Sequence, residues 1–394
     1  MEQKALVADY QRNKLWFVDQ ELNARRASHR LRTLTTVIPI SATEVEVAGK
    51  RMTSFASNDY LGLSKHPMLK ERAIEYTMRY GTGATASRLV CGTYDCMEAL
   101  EDKLASLSRT EKALILPSGF QTNVSLLPAL ADRNSLILSD ELNHASIVLG
   151  CRLARCSVEV FPHNDYDSLE MILSEKADKF SRLIIVTESV FSMDGDRADI
   201  DRLVEIAGKF SAILVVDEAH AVGVLGQNGM GLSVGKGVDI IMGTFSKALG
   251  ASGAYLACSD KMALYFINCC AGFVYSTALP PAVIGAVDAA LDLVQAMEEE
   301  RRELERKSQF VRESLNRLGF NTGLSNSQII PVIIGSERET LDLSAHLRSK
   351  NIFALAFRPP TVPPGTSRIR VSLSAAHSWD DVERLVEAFA SWTR

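Results

Sequence analysis

Val238-Asp-Ile-Ile-Met-Gly-Thr-Phe-Ser-Lys-Ala-Leu-Gly250 reads as a short apolar strand running into a turn of hydroxyls and glycines that carries one lysine, Lys247. A second apolar run, Gly253-Ala-Tyr-Leu-Ala257, follows at once. Most lysines end up solvated on a surface. One that stands between two buried strands loses water, and desolvation with nearby cationic character lowers its pKa toward the range where an amine works as a nucleophile or base. Upstream, Asp217-Glu-Ala-His220 follows the run Ile213–Val216. A carboxylate at the end of such a strand needs a cationic partner if it is buried.

Working outward, apolar runs recur at 113–116, 136–138, 158–161, 183–187, 213–216, 238–242 and 253–257, with helical patterns in many of the gaps, such as 167–179 and 199–210. This alternation predicts an α/β fold, a mainly parallel (mixed) seven-stranded sheet flanked by helices. The spacing predicts a helix over about 4–33 and a small antiparallel piece over 34–56. It predicts one long helix over about 281–317, whose charged run Glu298-Glu-Glu-Arg-Arg-Glu303 belongs to a solvated face. Beyond 318 come a strand at 329–334, a helix at 338–350, strands at 352–356 and 368–373 and a last helix at 378–392, which make a smaller α+β domain. The expected division is 1–50 for the N-terminal helix and antiparallel segment, 51–290 for the large α/β domain and 291–394 for the C-terminal domain.

The bulk numbers exclude some functions. The chain has 394 residues, 46% apolar and 23% charged, with a net charge of −5. No basic, aromatic-interleaved stripe suggests nucleic acid. No apolar stretch approaches the roughly 20 residues of a membrane helix, and Met1-Glu-Gln-Lys lacks the apolar run of a signal peptide. The seven cysteines have no zinc spacing, which predicts free, mostly buried thiols in a reducing compartment and no metal site. A cytoplasmic protein is expected.

In an open α/β sheet, ligands collect beyond the carboxyl ends of the strands. The residues there are Ser118-Gly119-Phe120, Asp140 with Asn143-His144-Ala-Ser146, Glu188 with Phe191-Ser192-Met-Asp-Gly195, Asp217 to His220, and Thr244, Ser246 and Lys247. Free N–H groups at the helix start after Ser118 suit a phosphate. A lysine Schiff base with an Asp partner at a ring nitrogen is how a protein holds pyridoxal 5′-phosphate (PLP) and makes it an electron sink. His144 is placed to lie on such a ring, and His220 and Ser192 to bond its phenolic oxygen.

Asp217-Glu-Ala-His220, Thr244-Phe-Ser-Lys247, Ser57-Asn-Asp-Tyr-Leu-Gly62, Thr187-Glu-Ser-Val-Phe-Ser-Met-Asp-Gly-Asp196 and Tyr275-Ser-Thr277 together resemble the α-oxoamine synthases, fold-type I PLP enzymes. These join an amino acid to an acyl thioester with loss of CO2. The likeness spans nearly the whole chain. Phe357-Arg-Pro-Pro-Thr-Val-Pro-Pro-Gly-Thr366 and Arg368-Ile-Arg-Val-Ser-Leu-Ser-Ala-Ala-His377 are most similar to the biotin-pathway branch, which condenses L-alanine with a pimeloyl thioester.

The resemblance implies Lys247 as the Schiff-base lysine, Asp217 as partner of the pyridine nitrogen, His144 stacked on the ring, and Ser192 and His220 near the phenolic oxygen. It implies Gly119, Phe120 and Thr244 around the phosphate, with Ser276 or Thr277 reaching in from a second subunit of a homodimer. Arg370 would face the amino-acid carboxylate, with Asn58 orienting its neighbours, and Arg32 and Thr361 would contact the acyl substrate. The acyl carrier, coenzyme A or an acyl carrier protein, stays open. One stretch departs from the branch: Gly83-Ala-Thr-Ala-Ser-Arg-Leu stands where a Gly-Ser-Gly-Gly-Ser-Gly-His type loop lines the acyl approach. A sister reaction with glycine or serine and another acyl-CoA, as in 2-amino-3-ketobutyrate CoA ligase, therefore remains the alternative.

Overall fold

The computed structural model describes residues 14–393. Its central sheet has seven strands, in chain order β1 (Lys112–Leu116), β2 (Ser135–Asp140), β3 (Ser157–Phe161), β4 (Arg182–Glu188), β5 (Ile213–Asp217), β6 (Ile240–Thr244) and β7 (Ala254–Cys258). Across the sheet they lie β1-β7-β6-β5-β4-β2-β3. β7 pairs antiparallel with β6 and β1, and the remaining pairs are parallel. The expected mixed seven-stranded sheet is therefore present.

The strands alternate between two apolar layers, as a two-residue period requires. Leu183 and Ile185 face one core while Ile184 and Val186 face the other. Helices fill both faces, so β4 and β5 are buried almost throughout, whereas the edge strand β3 is exposed over most of its length and buried at Phe161. Side chains of Ser118, His144, Asp165, Asp199, Ser259, Ser336 and Ser378 cap the helices they precede.

Two smaller sheets complete the chain. Strands Ile329–Gly335, Ser367–Ser372 and Leu355–Phe357 form an antiparallel three-stranded sheet. The antiparallel piece expected near the N-terminus exists as Ile38–Pro39, Glu44–Val47 and Lys50–Ser54, and Ile352–Phe353 adds to it in parallel.

Three expectations are corrected. The N-terminal helix spans Trp16–Ala27 and does not reach 33, and its expected part before residue 14 lies outside the described residues. It stops because Ser28 returns its hydroxyl to the Ala24 carbonyl and His29 takes φ 56°. The long helix at 281–317 is two, Pro281–Val294 and Glu298–Arg317. The break is held by Arg301, which donates to the freed carbonyl of Val294 at 2.6 Å. Arg301 is thereby buried, so the charged run around it is not wholly solvated.

Candidate active site

The ends of β2, β4, β5 and β6 deliver Asp140, Glu188, Asp217 and Thr244 to one edge, with Glu188 beside Asp217 in register. Asp217 is buried. Its Oδ2 accepts from Asn123 Nδ2 at 2.8 Å and its Oδ1 from the Ala219 amide at 2.9 Å. Asn123 also donates to Ser146 Oγ at 3.0 Å, and that oxygen lies 2.7 Å from His144 Nδ1. His144 caps the helix Ala145–Leu153, and its backbone N–H donates to Glu188 Oε1 at 2.5 Å. One network thus fixes His144 and Asp217 together.

Lys247 stands half-buried on the turn between β6 and β7. Burial lowers its pKa to about 8, against the opposing pull of Asp217 and Glu188. Burial and the charge of Asp217 push the Glu188 carboxyl well up. Burial also lowers His144 and, more strongly, His220, where the charges of Lys247 and Arg370 add to it. Both imidazoles are therefore neutral at neutral pH, which leaves Lys247 and Arg370 as the cations of this edge.

His220 Nδ1 lies 2.7 Å from the Tyr60 hydroxyl. Tyr60 donates to Asn58 Oδ1 at 3.1 Å, and Arg370 donates to the same Asn58 oxygen at 3.0 Å and to the Tyr60 oxygen at 3.3 Å. Arg370 is buried, and its Nε has no partner among the described residues. A buried guanidinium with an unmet donor is suited to a carboxylate.

At the opposite side, Ser118 caps the helix Gly119–Leu130. A Cβ on Gly119 would lie 3.8 Å from that of Thr244, so the two stand together at the helix start. Thr244 Oγ1 donates to the Gly253 carbonyl at 2.9 Å and lies 2.8 Å from Ser246 Oγ. Phe120 is 51% exposed and meets the His144 ring edge-on at 6.5 Å. Ser276 accepts from Gln121 of the same helix within one chain, and Thr277 bridges to Ser87. Ser192 is half-buried on the turn after β4 and has no side-chain hydrogen bond among the described residues.

Arg32 and Thr361, far apart in sequence, meet directly: the guanidinium donates to the threonine hydroxyl at 2.7 Å. Arg30 grips Glu337 at 2.7 and 2.9 Å beside them, and Arg358 donates to the His29 and Leu31 carbonyls. The segment after the first helix is thus strapped to the proline-rich loop at 357–366. In the departing loop at 83–89, Arg88 turns inward to a buried two-bond pair with Glu101 at 2.7 and 2.9 Å and covers the Phe273 ring at 5.5 Å.

Asn123, Tyr60, Gln121 and Gln328 also hold the site, and none of them has a role assigned by a motif. Asn123 lies four residues after Gly119, hence on the same helix face, and that spacing was the available signal. Gln328, which donates to the His220 carbonyl at 2.8 Å, had none.

The residues fit PLP by their chemistry: an amine of lowered pKa, a buried carboxylate held by donors for a ring nitrogen, and a helix start for a phosphate. The described residues contain no group of three or more metal-binding side chains with the geometry to hold an ion. The model of the family "aminotransferase class I and II" matches residues 50–389. The chain belongs to that family, and within it to the α-oxoamine synthases, with PLP as cofactor.

An 8-amino-7-oxononanoate synthase from Gluconacetobacter diazotrophicus is 46% identical over 374 residues, covering 93% of this chain and 94% of its own. A protein of Desulfosudis oleivorans that carries the same name provisionally is 57% identical over 383 residues, 97% of this chain and 100% of its own. Among solved structures, serine palmitoyltransferase of Sphingomonas wittichii is similar at 28% identity and TM-score 0.88, over 96% of each chain.

Proposed function

We propose that this enzyme condenses L-alanine with a pimeloyl thioester, releasing CO2 and the free thiol and forming 8-amino-7-oxononanoate. The relatives' names support the reaction, and the observation that carries it is the linked set Arg370–Asn58–Tyr60–His220, whose Arg370 charge acts on both His220 and Lys247.

PLP, when bound, supplies an electron sink for the amino acid's α-carbon. Asp217 would hold its ring nitrogen, with His144 against the ring, Ser192 and His220 at its phenolic oxygen, and Gly119, Phe120 and Thr244 at its phosphate. Arg370 binds the amino-acid carboxylate, and Asn58 and Tyr60 fix the guanidinium plane. Lys247 holds or releases a proton near neutral pH, which is what removal and return of the α-proton requires. Neutral His220 leaves the site without a third cation. In the net reaction the α-carbon bonds to the acyl carbon, the thiolate leaves, the carboxylate departs as CO2, and a proton takes its place.

Arg32 and Thr361 contact the acyl chain, and their mutual hydrogen bond supports a shared role. The carrier is coenzyme A or an acyl carrier protein. The chain works as a homodimer in the cytoplasm, with Ser276 or Thr277 completing a partner's phosphate seat. Exposed Tyr275 (84%) next to Ser276, and exposed Val90 (78%) on the segment bridged to Thr277, support this face as the interface. The seven free thiols suit a reducing compartment. The chain divides at about 50 and 290 into the N-terminal segment, the large α/β domain and the C-terminal domain. Incubating the holoenzyme with alanine and pimeloyl-CoA, and resolving the products by mass, tests it.

A further inference from the structure

Behind the active site, helix Glu298–Arg317 and the segment 326–328 enclose a cavity of about 190 Å3. Its lining includes Arg197, Arg301, Arg312, Ser327 and Gln328. Glu298, Glu305 and Arg302 also line it, and Arg302 lies 3.5 Å from Glu298 and 3.8 Å from Glu299. Arg301 is spent on Glu298 at 2.8 Å and on the Val294 carbonyl. Arg312 gives one N–H to the Ser327 carbonyl at 2.5 Å. Arg197 makes no side-chain hydrogen bond or ion pair with any described residue, and its Nε is buried without a partner. Arg197 and Arg312 are close enough for their like charges to act on each other, and burial lowers both. Glu305, which also lines the cavity, acts on both, but it is exposed and forms no ion pair within 4.0 Å among the described residues.

Two half-buried guanidiniums of like charge, one of them without a side-chain partner among the described residues, favour an anion between them. Gln328, 2% exposed, adds an unpartnered buried Oε1 on the same wall, an acceptor for a hydroxyl or a bound water. We propose that this cavity is a second ligand site, for a small oxyanion of the phosphate or carboxylate class, held by Arg197 and Arg312. The volume admits such an anion and lies below the about 300 Å3 at which pockets for drug-sized ligands start.

The site's floor is also the active site's support. Gln328 donates to the His220 carbonyl at 2.8 Å, Ser327 Oγ to the Gly195 carbonyl at 2.7 Å, and the Asn326 amide to that carbonyl at 3.1 Å. An anion drawn to Arg312 therefore sits one residue from the groups that hold His220 and the turn bearing Ser192.

The test is calorimetric titration of PLP-loaded enzyme with inorganic phosphate and, separately, with succinate, each against chloride at matched ionic strength. The two arms distinguish the phosphate from the carboxylate source. Saturable binding of either, weakened about tenfold in Arg197→Gln, as expected for loss of a charge-assisted hydrogen bond, and largely restored in Arg197→Lys, supports the site. Arg197 makes no side-chain hydrogen bond with a described residue and its charge is opposed by Arg312, so the variant melts at or above the wild-type temperature in the absence of anion. Absence of saturable binding for both anions, or equal binding by wild type and Arg197→Gln, overturns it.

Discussion

At the scale of single residues, the account turns on how Asp217 and Lys247 are prepared by neighbours that do no chemistry themselves. Asn123→Ala removes one of the two donors on Asp217 and leaves Ser146 without its own. The loss of a hydrogen bond to a buried charged group corresponds to a fall of roughly tenfold in kcat/KM, measured with alanine as varied substrate. Lys247 has its pKa lowered by burial, so its neutral form grows as pH rises through about 8. The rate of exchange of alanine's α-proton with solvent deuterium should climb across that range and then level, and Lys247→Ala should abolish it. A flat profile from pH 6.5 to 9 in the wild type would remove Lys247 as the proton carrier. Much of this residue set was legible in sequence, because Asp217, His220, Thr244 and Lys247 follow apolar runs and strand ends converge. Asn123 and Tyr60 escaped because their roles depend on side-chain directions that a motif does not carry. The Ser276 contact to Gln121 escaped because it joins segments 155 residues apart.

At the scale of elements, two pieces rest on buried charge. Arg88 and Glu101 are nearly inaccessible, and Glu101 also accepts from the Ile115 amide at 2.8 Å, so the pair ties the loop at 83–89 to helix Asp95–Ser108 and to β1. Arg88→Ala leaves the carboxylate buried with its cation gone and should destabilise the protein by about 3–5 kcal/mol, read by chemical denaturation. A loss below about 1 kcal/mol would show the pair to be solvated. His163 lies between Asp140 at 2.9 Å and Asp196 at 2.7 Å, bracing the end of β2 against the turn that carries Ser192. Burial alone would lower its pKa, but the hydrogen bonds to the two carboxylates outweigh it and hold it at about 10. The folded value is raised above the ordinary 6.5, so this stabilisation is full below that pH and is lost as pH rises toward 10. His163→Gln should flatten that decline in stability, and an unchanged slope would contradict the brace. Neither pair was visible in sequence, where Glu101 is an ordinary helix glutamate and His163 a lone histidine. The strands themselves were legible because a buried parallel strand is a bounded apolar run. The break between the helices at 294 and 298 was not, because a single side chain, Arg301, caps it from the other helix.

At the scale of the whole molecule, the segment after the first helix is strapped to the loop at 357–366 through Arg32–Thr361 and Arg358, and to the start of helix Glu337–Ser349 through Arg30–Glu337. If this strap forms the acyl wall, Arg32→Ala raises the KM for pimeloyl-CoA several-fold and leaves the KM for alanine unchanged. A rise for alanine alone would place the strap elsewhere. The membrane question is bounded by the fact that no described helix is long and apolar enough to cross one. The measurement that bears most directly on the central claim is the product of PLP-loaded enzyme given alanine and pimeloyl-CoA, followed by mass spectrometry with CO2 and free CoA quantified. The account predicts 8-amino-7-oxononanoate with one CO2 and one CoA released per product; pyruvate formed by amino-group exchange, with no CO2, would contradict it.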